Sequence, residues 1–306
     1  MNQTGLSTAP ATAGASAIQA AVTWRVVLSV FKLRIALLIM FTAIGGLVIV
    51  PNGSLSALQG VVLALSVLLA SASAGAFNQF AEADSDRLMK RTQNRAFASG
   101  ALPRSAGWLL AIVALQVVAV AAAAWWVNGL AAFFVLMGAL TYALVYTLWL
   151  KRRTPWNIVF GGLAGSFAVL AGAAAVSPQI GPLAWLLALV LFLWTPPHFW
   201  SLAIANQAEY KAAGVPMLPV VVGTERAARI VHVHTVALVA VSLLPLAFGA
   251  GWVYGVCALL GGVHFLRRSH ALMCQPQRST AMASFFASMV QLSALLGGVL
   301  LDALMR

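Results

Sequence analysis

Residues 57–86 read ALQGVVLALSVLLASASAGAFNQFAEADSD, an apolar run that passes through Asn78 and Gln79 and then meets Glu82, Asp84 and Asp86. Positions 57–80 carry no charge, and a helix needs about 20 residues to cross the hydrocarbon of a bilayer. The stretch therefore reads as a membrane span that ends on a carboxylate cluster. Carboxylates avoid hydrocarbon because an ion is costly to strip of water. Five of the six acidic residues in the 306-residue chain lie here or between Glu209 and Glu225, each time just after a long apolar run. Arg87, Lys90, Arg91 and Arg95 follow the first cluster at once. Acids beside a basic patch suit a divalent cation that holds a polyphosphate, with the carboxylates on the metal and the Arg and Lys donors on the remaining oxygens.

Hydrophobic residues make up 62% of the chain and charged residues 8%, against about 25% charged in an ordinary soluble domain. The fold class is accordingly an all-α, polytopic membrane protein. Nine transmembrane helices are expected, at roughly 35–50, 57–80, 106–127, 130–150, 156–176, 183–204, 230–248, 251–266 and 281–302. The alternating segments of about 10 residues that mark barrel strands are missing. Short cytoplasmic loops carry the Lys/Arg excess. With nine spans, seventeen of the eighteen basic residues fall on one side and only Arg306 on the other, so the residues before the first span are expected in the cytoplasm. The net charge of +12 then belongs to loops that face a lipid surface. No basic soluble domain exists to bind nucleic acid.

Residues 1–24 are expected to form a disordered cytoplasmic tail and 25–306 a single membrane domain; the tail lacks the basic start of a signal peptide. Cys257 falls inside a span and Cys274 in a loop, so no disulfide is implied. The acidic stretches follow spans 2 and 6, four helices apart. That placement predicts two four-helix halves plus a ninth helix around a central cavity, each half giving one loop to a shared site.

If span 2 runs on as helix, Asn78, Glu82 and Asp86 share one face at i, i+4 and i+8, and Asp84 points about 160° away. Asp84 joins them only if the helix breaks. Span 6 ends Trp194-Thr195-Pro196-Pro197-His198-Phe199-Trp200, where adjacent prolines remove backbone donors and predict a kink beside a cavity. His198 and Glu209 share a helical face there. Lys151, Arg152 and Arg153 are explained equally by topology or by diphosphate contact. Gly161, Gly162 and Gly165 fit close helix packing. Among the histidines, His232 and His234 stand nearly opposite on their helix, and His264 and His270 lie near a cytoplasmic end. His198 is left as a substrate contact or a hydrogen-bonded kink residue.

The string Asn78-x3-Glu82-x-Asp84-x-Asp86-x2-Met89-x-Arg91-Thr92-x-Asn94-Arg95 resembles the first signature of the UbiA-type intramembrane prenyltransferases. Its Asp-x-Asp-x-x-Met-x-Arg-Thr spacing and the run from Trp194 to Trp200, with Glu209 to Gly223 after it, resemble the protohaem IX farnesyltransferase (haem O synthase) family. Lys151 to Val159 also resembles that family. Glu82 departs from the family's usual Asp; Asn206 and Gln207 stand where basic residues are common, and Glu209 where Asp often stands.

The resemblance implies transfer of a farnesyl group from farnesyl diphosphate to a vinyl substituent of protohaem IX, with magnesium as cofactor. It implies catalytic and metal roles for Asn78, Glu82, Asp86 and Glu209, with Asp84 as a further metal ligand. Arg91, Arg95, Lys151, Arg152, His198 and Tyr146 would bind substrate, and Tyr142 and Tyr146 would line the cavity. A bacterial inner membrane and a downstream haem A synthase or terminal oxidase follow from the same resemblance. Prenylation of another acceptor, such as a hydroxybenzoate, is the near rival, and the Trp-Thr-Pro-Pro-His string argues against it. A transporter would place ionisable residues deep in the spans, and the chain has almost none there beyond histidine.

Overall fold

The computed structural model describes residues 23–51 and 55–305. The expected tail therefore lies almost wholly outside the described residues, and Trp24 already opens a helix. Among the described residues the chain is helical without a strand: α1 Trp24–Val30, α2 Leu33–Val48, α3 Ala57–Ala81, α4 Ala83–Asp86, α5 Ala106–Trp126, α6 Gly129–Leu140, α7 Asn157–Val176, α8 Pro182–Ala205, α9 Gln207–Ala212, α10 Leu218–Val222, α11 Thr224–Leu243, α12 Trp252–Cys274 and α13 Arg278–Leu304. Helix α6 winds on as a π-helix over Thr141–Leu150, and α11 as a short 3-10 turn over Leu244–Phe248.

Polar residues set several of these helix starts. Ser56 and Gln59 cap α3 reciprocally, and the side chains of Ser105 and Asn128 accept backbone N–H groups at the starts of α5 and α6, the groups that a helix leaves without an internal partner.

Seven helices are long and apolar enough to cross a membrane, and eight if α1 and α2, bent by 47°, form one span. The first span thus begins well before residue 35. Helix α12 falls short on composition, because His264, Arg267, Arg268 and His270 occupy its later turns. It nevertheless runs antiparallel between α11 and α13. Tyr254 donates to the Ser242 carbonyl at 2.7 Å, and a Cβ on Gly261 would lie 3.1 Å from the Gln291 Cα. Its apolar first half therefore lies beside two membrane helices, and its basic end reaches the same face as the other basic loops.

Helices α2, α3, α6 and α7 surround an apolar cavity of about 100 Å³ lined by Ile39, Val67, Phe134 and Ala168, with Lys32 and Tyr142 at one end. Helices α8, α11, α12 and α13 pack together, with α13 on α8, α12 and α2, and α7 packs on α8 as well as on α2. The cavity is thus lined by spans 1, 2 and 4 of the first expected half and by span 5, α7, of the second. Two glycines bring α2 and α7 into backbone contact: a Cβ on Gly172 would collide with the Ala43 carbonyl, and one on Gly46 with the Val169 carbonyl.

Candidate active site

The carboxylates at the end of α3 are held by a break in the helix that keeps the register. Glu82 leaves helical geometry at φ −98° and ψ 6°. Its N–H still reaches the Asn78 carbonyl at 3.0 Å, and the Asp86 N–H reaches the Glu82 carbonyl at 2.8 Å. Two consecutive i to i−4 bonds carry the helical spacing across the break, so Asn78, Glu82 and Asp86 stay on one face. All three are buried.

Glu82 and Asp86 each have a cation. Lys151 Nζ donates to Glu82 Oε2 at 2.5 Å, and Arg95 Nη1 to Asp86 Oδ2 at 2.7 Å. Asn78 links the group: its Nδ2 donates to Glu82 Oε2 at 2.8 Å and to Thr147 Oγ1 at 3.0 Å, while its Oδ1 accepts from Lys32 Nζ at 2.6 Å. Asp84 is turned outward, with its side chain 62% exposed, and pairs with Arg104 at 2.9 Å and Arg87 at 3.6 Å. The structure thus brings Asn78, Glu82, Asp86, Arg95 and Lys151 together and leaves Asp84 out.

The π-helix supplies the opposite wall. The Lys151 N–H bonds the Tyr146 carbonyl at 3.0 Å, five residues back, the wide turn that recurs at functional sites. Tyr142 and Tyr146 stack with ring centroids 5.4 Å apart. Lys32 lies 5.9 Å from the Tyr142 centroid and Lys151 5.7 Å from that of Tyr146, within reach of a cation–π attraction. Gly161 makes room for Tyr146, since a Cβ there would stand 2.9 Å from its ring. Burial pushes the Lys151 pKa below the ordinary lysine value, and Glu82 beside it opposes the shift.

Lys32 is the residue that sequence reasoning missed. It sits between α1 and α2 at φ 47° and ψ 45°, the one non-glycine residue with positive φ among those described. Such a backbone costs roughly 1–2 kcal/mol, and strain of this kind collects at functional positions. Its side chain spans the gap between the apolar cavity and Asn78. The basic residues before the first span had been read only for orientation, and the Asn78 contact bridges 46 positions.

The second loop meets the first without joining its carboxylates. Arg91 donates to the Tyr210 hydroxyl at 3.4 Å, and Met89, Tyr146, Tyr210 and Met217 share one apolar cluster. Burial raises the Tyr210 pKa, and Arg91 works against the rise. Glu209 faces a separate pocket with Lys90 and Arg278, and its Oε2 is buried without a partner among the described residues. Arg152 is exposed. His198 lies between the rings of Trp194 and Phe285, at centroid distances of 4.2 and 4.5 Å, and its Nδ1 bonds Ser288 Oγ at 2.7 Å. Helix α8 continues through Pro196 and Pro197; the Phe192 carbonyl, one of those the prolines release, packs toward Gly162.

The donor set fits a hydrated divalent cation that shares its coordination with a substrate. No group of three or more His, Cys, Asp and Glu converges among the described residues, so a closed protein cage is not formed. Magnesium is commonly held by one or two carboxylates together with substrate phosphates and water. Glu82 and Asp86 could supply those carboxylates, and Lys32, Arg95 and Lys151 lie around them as donors of the kind that suits phosphate oxygens.

Residues 38–290 match the UbiA prenyltransferase family. Protoheme IX farnesyltransferase 2 of Paramagnetospirillum magneticum is 52% identical over 281 residues, covering 92% of this chain and 98% of the relative. The protoheme IX farnesyltransferase of Hahella chejuensis is 38% identical over 284 residues, covering 92% and 95%. Among solved structures, that of a digeranylgeranylglyceryl phosphate synthase superposes with a TM-score of 0.74 at 18% identity, covering 92% of this chain and 99% of its own. A UbiA homolog from Archaeoglobus fulgidus bound to GPP and Mg2+ gives 0.62 at 16%, covering 89% and 99%; at these identities the likeness concerns the fold. These matches cover most of the chain and decide its family: the chain belongs to the UbiA prenyltransferase family, in the group of the protohaem IX farnesyltransferases.

Proposed function

We propose that the protein transfers the farnesyl group of farnesyl diphosphate to a vinyl substituent of protohaem IX. The observation that carries this reading is the position of the buried Glu82 and Asp86 cluster at the head of an apolar cavity, with Lys32 lining the cavity and donating to Asn78 of the cluster. An allylic diphosphate has the same two parts, a polyanionic head and a hydrocarbon tail. The acceptor comes from the relatives, whose names specify protohaem.

Farnesyl diphosphate ionises when its C1–O bond breaks and the electron pair leaves with the diphosphate. A magnesium ion held by Glu82 and Asp86 would neutralise charge developing on that leaving group. Lys32, Arg95 and Lys151 exchange their carboxylate and amide partners for diphosphate oxygens, which places donors where negative charge grows. Tyr142 lines the cavity and stacks on Tyr146, and this aromatic pair would favour an allylic cation formed beside it. The apolar walls hold the tail and keep water from the cation until the acceptor arrives. The vinyl π pair then forms the new C–C bond, water adds to the porphyrin-side cation, and one proton is released, giving the hydroxyethylfarnesyl group of haem O.

The excess of basic residues in the loops supports a cytoplasmic side for this site, in a bacterial inner membrane as the family resemblance implies, and a haem A synthase or a terminal oxidase would consume the product. Incubating purified protein with protohaem, farnesyl diphosphate and magnesium, then weighing the porphyrin by mass spectrometry, tests the reading. A porphyrin heavier by one farnesyl group and one hydroxyl group is expected, and farnesol without any porphyrin adduct would refute it.

A further inference from the structure

The pocket that contains Glu209 has no part in the chemistry described above. It holds about 370 Å³ at the surface and is lined by Leu88 and Lys90 of the first loop, by Asn206 and Glu209 of the second, and by Arg278. Lys90 and Arg278 are exposed and stand in no ion pair among the described residues. Arg278 is the first residue of the 27-residue helix α13, whose N-terminal dipole adds to the positive potential. Glu209 brings one carboxylate, so the three side chains carry a net positive charge. The pocket borders the active site: Lys90 precedes Arg91 and Glu209 precedes Tyr210, the pair that joins the loops.

We propose that this pocket receives the two propionate carboxylates of the porphyrin acceptor, paired with Lys90 and Arg278, and that Glu209 turns away porphyrins bearing further carboxylates. The inference rests on protohaem being the acceptor. Protohaem is amphipathic, with its propionates on one edge and its vinyl groups toward the other. Holding the propionates at the membrane surface leaves the vinyl edge facing the hydrocarbon level, where the cation forms. Two cations match two carboxylates, while each additional carboxylate would meet Glu209, a repulsive element that selects against the wrong ligand.

The test compares protohaem with its dimethyl ester, which keeps the ring, iron and vinyl groups and loses both charges. The wild type should favour the diacid in kcat/KM by at least ~10-fold, the order expected for charge-assisted hydrogen bonds near a surface. In the Lys90→Gln/Arg278→Gln double variant that ratio should fall to about one, with the KM for farnesyl diphosphate as internal reference for an intact site. A four-carboxylate porphyrin should inhibit Glu209→Gln more strongly than the wild type. Product from both acceptors at a ratio unchanged in the double variant overturns the assignment alone, and equal inhibition of Glu209→Gln and wild type removes the role given to Glu209. No porphyrin product from either acceptor overturns the proposed reaction and this assignment with it.

Discussion

Glu82 and Asp86 differ from Asp84 in what surrounds them. The first two are buried against Lys151 and Arg95, whereas Asp84 lies in water beside Arg87 and Arg104. Glu82→Gln and Asp86→Asn keep side-chain volume and remove the charge that would hold metal, so turnover should fall at least ~100-fold, as on loss of one transition-state stabiliser. Asp84→Asn should change turnover by less than about 3-fold, because an exposed pair contributes little. Single-turnover assays of the three variants check this, and an Asp84 defect equal to that of Asp86 would place Asp84 in the reaction. Lys32 gives a sharper test, since function and stability should move apart. Glycine accepts φ 47° without penalty, so Lys32→Gly relieves backbone strain and should leave the melting temperature unchanged or raise it by about 2–4 °C. Turnover should nevertheless collapse, and a fall in both would make Lys32 a structural support. The acids were legible in sequence because charge is so scarce here, and Asn78 because an amide ending an apolar run needs a partner. Lys32 was not, since a basic residue at a span boundary has a sufficient topological explanation.

Helix continuity governs how those residues meet. Periodicity predicted that Asn78, Glu82 and Asp86 share a face, and the break at Glu82 preserves that face through backbone bonds on both sides. The π-turn of α6 was invisible to periodicity, because an apolar stretch with two tyrosines fits a π-helix and an α-helix alike. Helix packing was partly legible. Gly161 and Gly162 do accept close neighbours, Tyr146 and Thr195, while Gly165 has nothing within 4 Å of an added Cβ. The tightest contacts, Gly46 against Val169 and Gly172 against Ala43, join residues too far apart in sequence to be paired by reading. Gly172→Leu would force α2 and α7 apart and should prevent assembly of a stable enzyme, read as lost monodispersity in detergent. His198 was singled out as a substrate contact or a kink residue, and its aromatic sandwich and Ser288 bond favour the second. His198→Ala should therefore destabilise the protein by about 2–4 kcal/mol, the range for emptying a packed aromatic site, with both substrate affinities falling together. A selective loss of protohaem affinity at an unchanged melting temperature would restore the ligand role.

At the scale of the molecule, charge determines which way the bundle faces the membrane, and the sidedness of the active site depends on it. Hydropathy alone gives seven or eight crossings. The difference from nine lies in α12, whose apolar residues 252–263 precede His264, Arg267, Arg268 and His270. Its antiparallel contacts with α11 and α13 run from Tyr254 near one face to Ser269, which bonds His232 at 3.0 Å, near the other. A helix in that position connects opposite faces, and the basic cluster then emerges beside Arg278 on the side of the active-site loops. If α12 crosses, residues 90 and 278 share the cytoplasm and residue 304 lies outside. If α12 instead stayed at one surface, residue 304 would return to the cytoplasm. Fusing a reporter active only in the cytoplasm, and another active only outside it, after residues 90, 278 and 304 separates these arrangements. The expected pattern is cytoplasmic, cytoplasmic, external. A cytoplasmic signal after residue 304 would remove one crossing and end the argument that seventeen of the eighteen basic residues share one side.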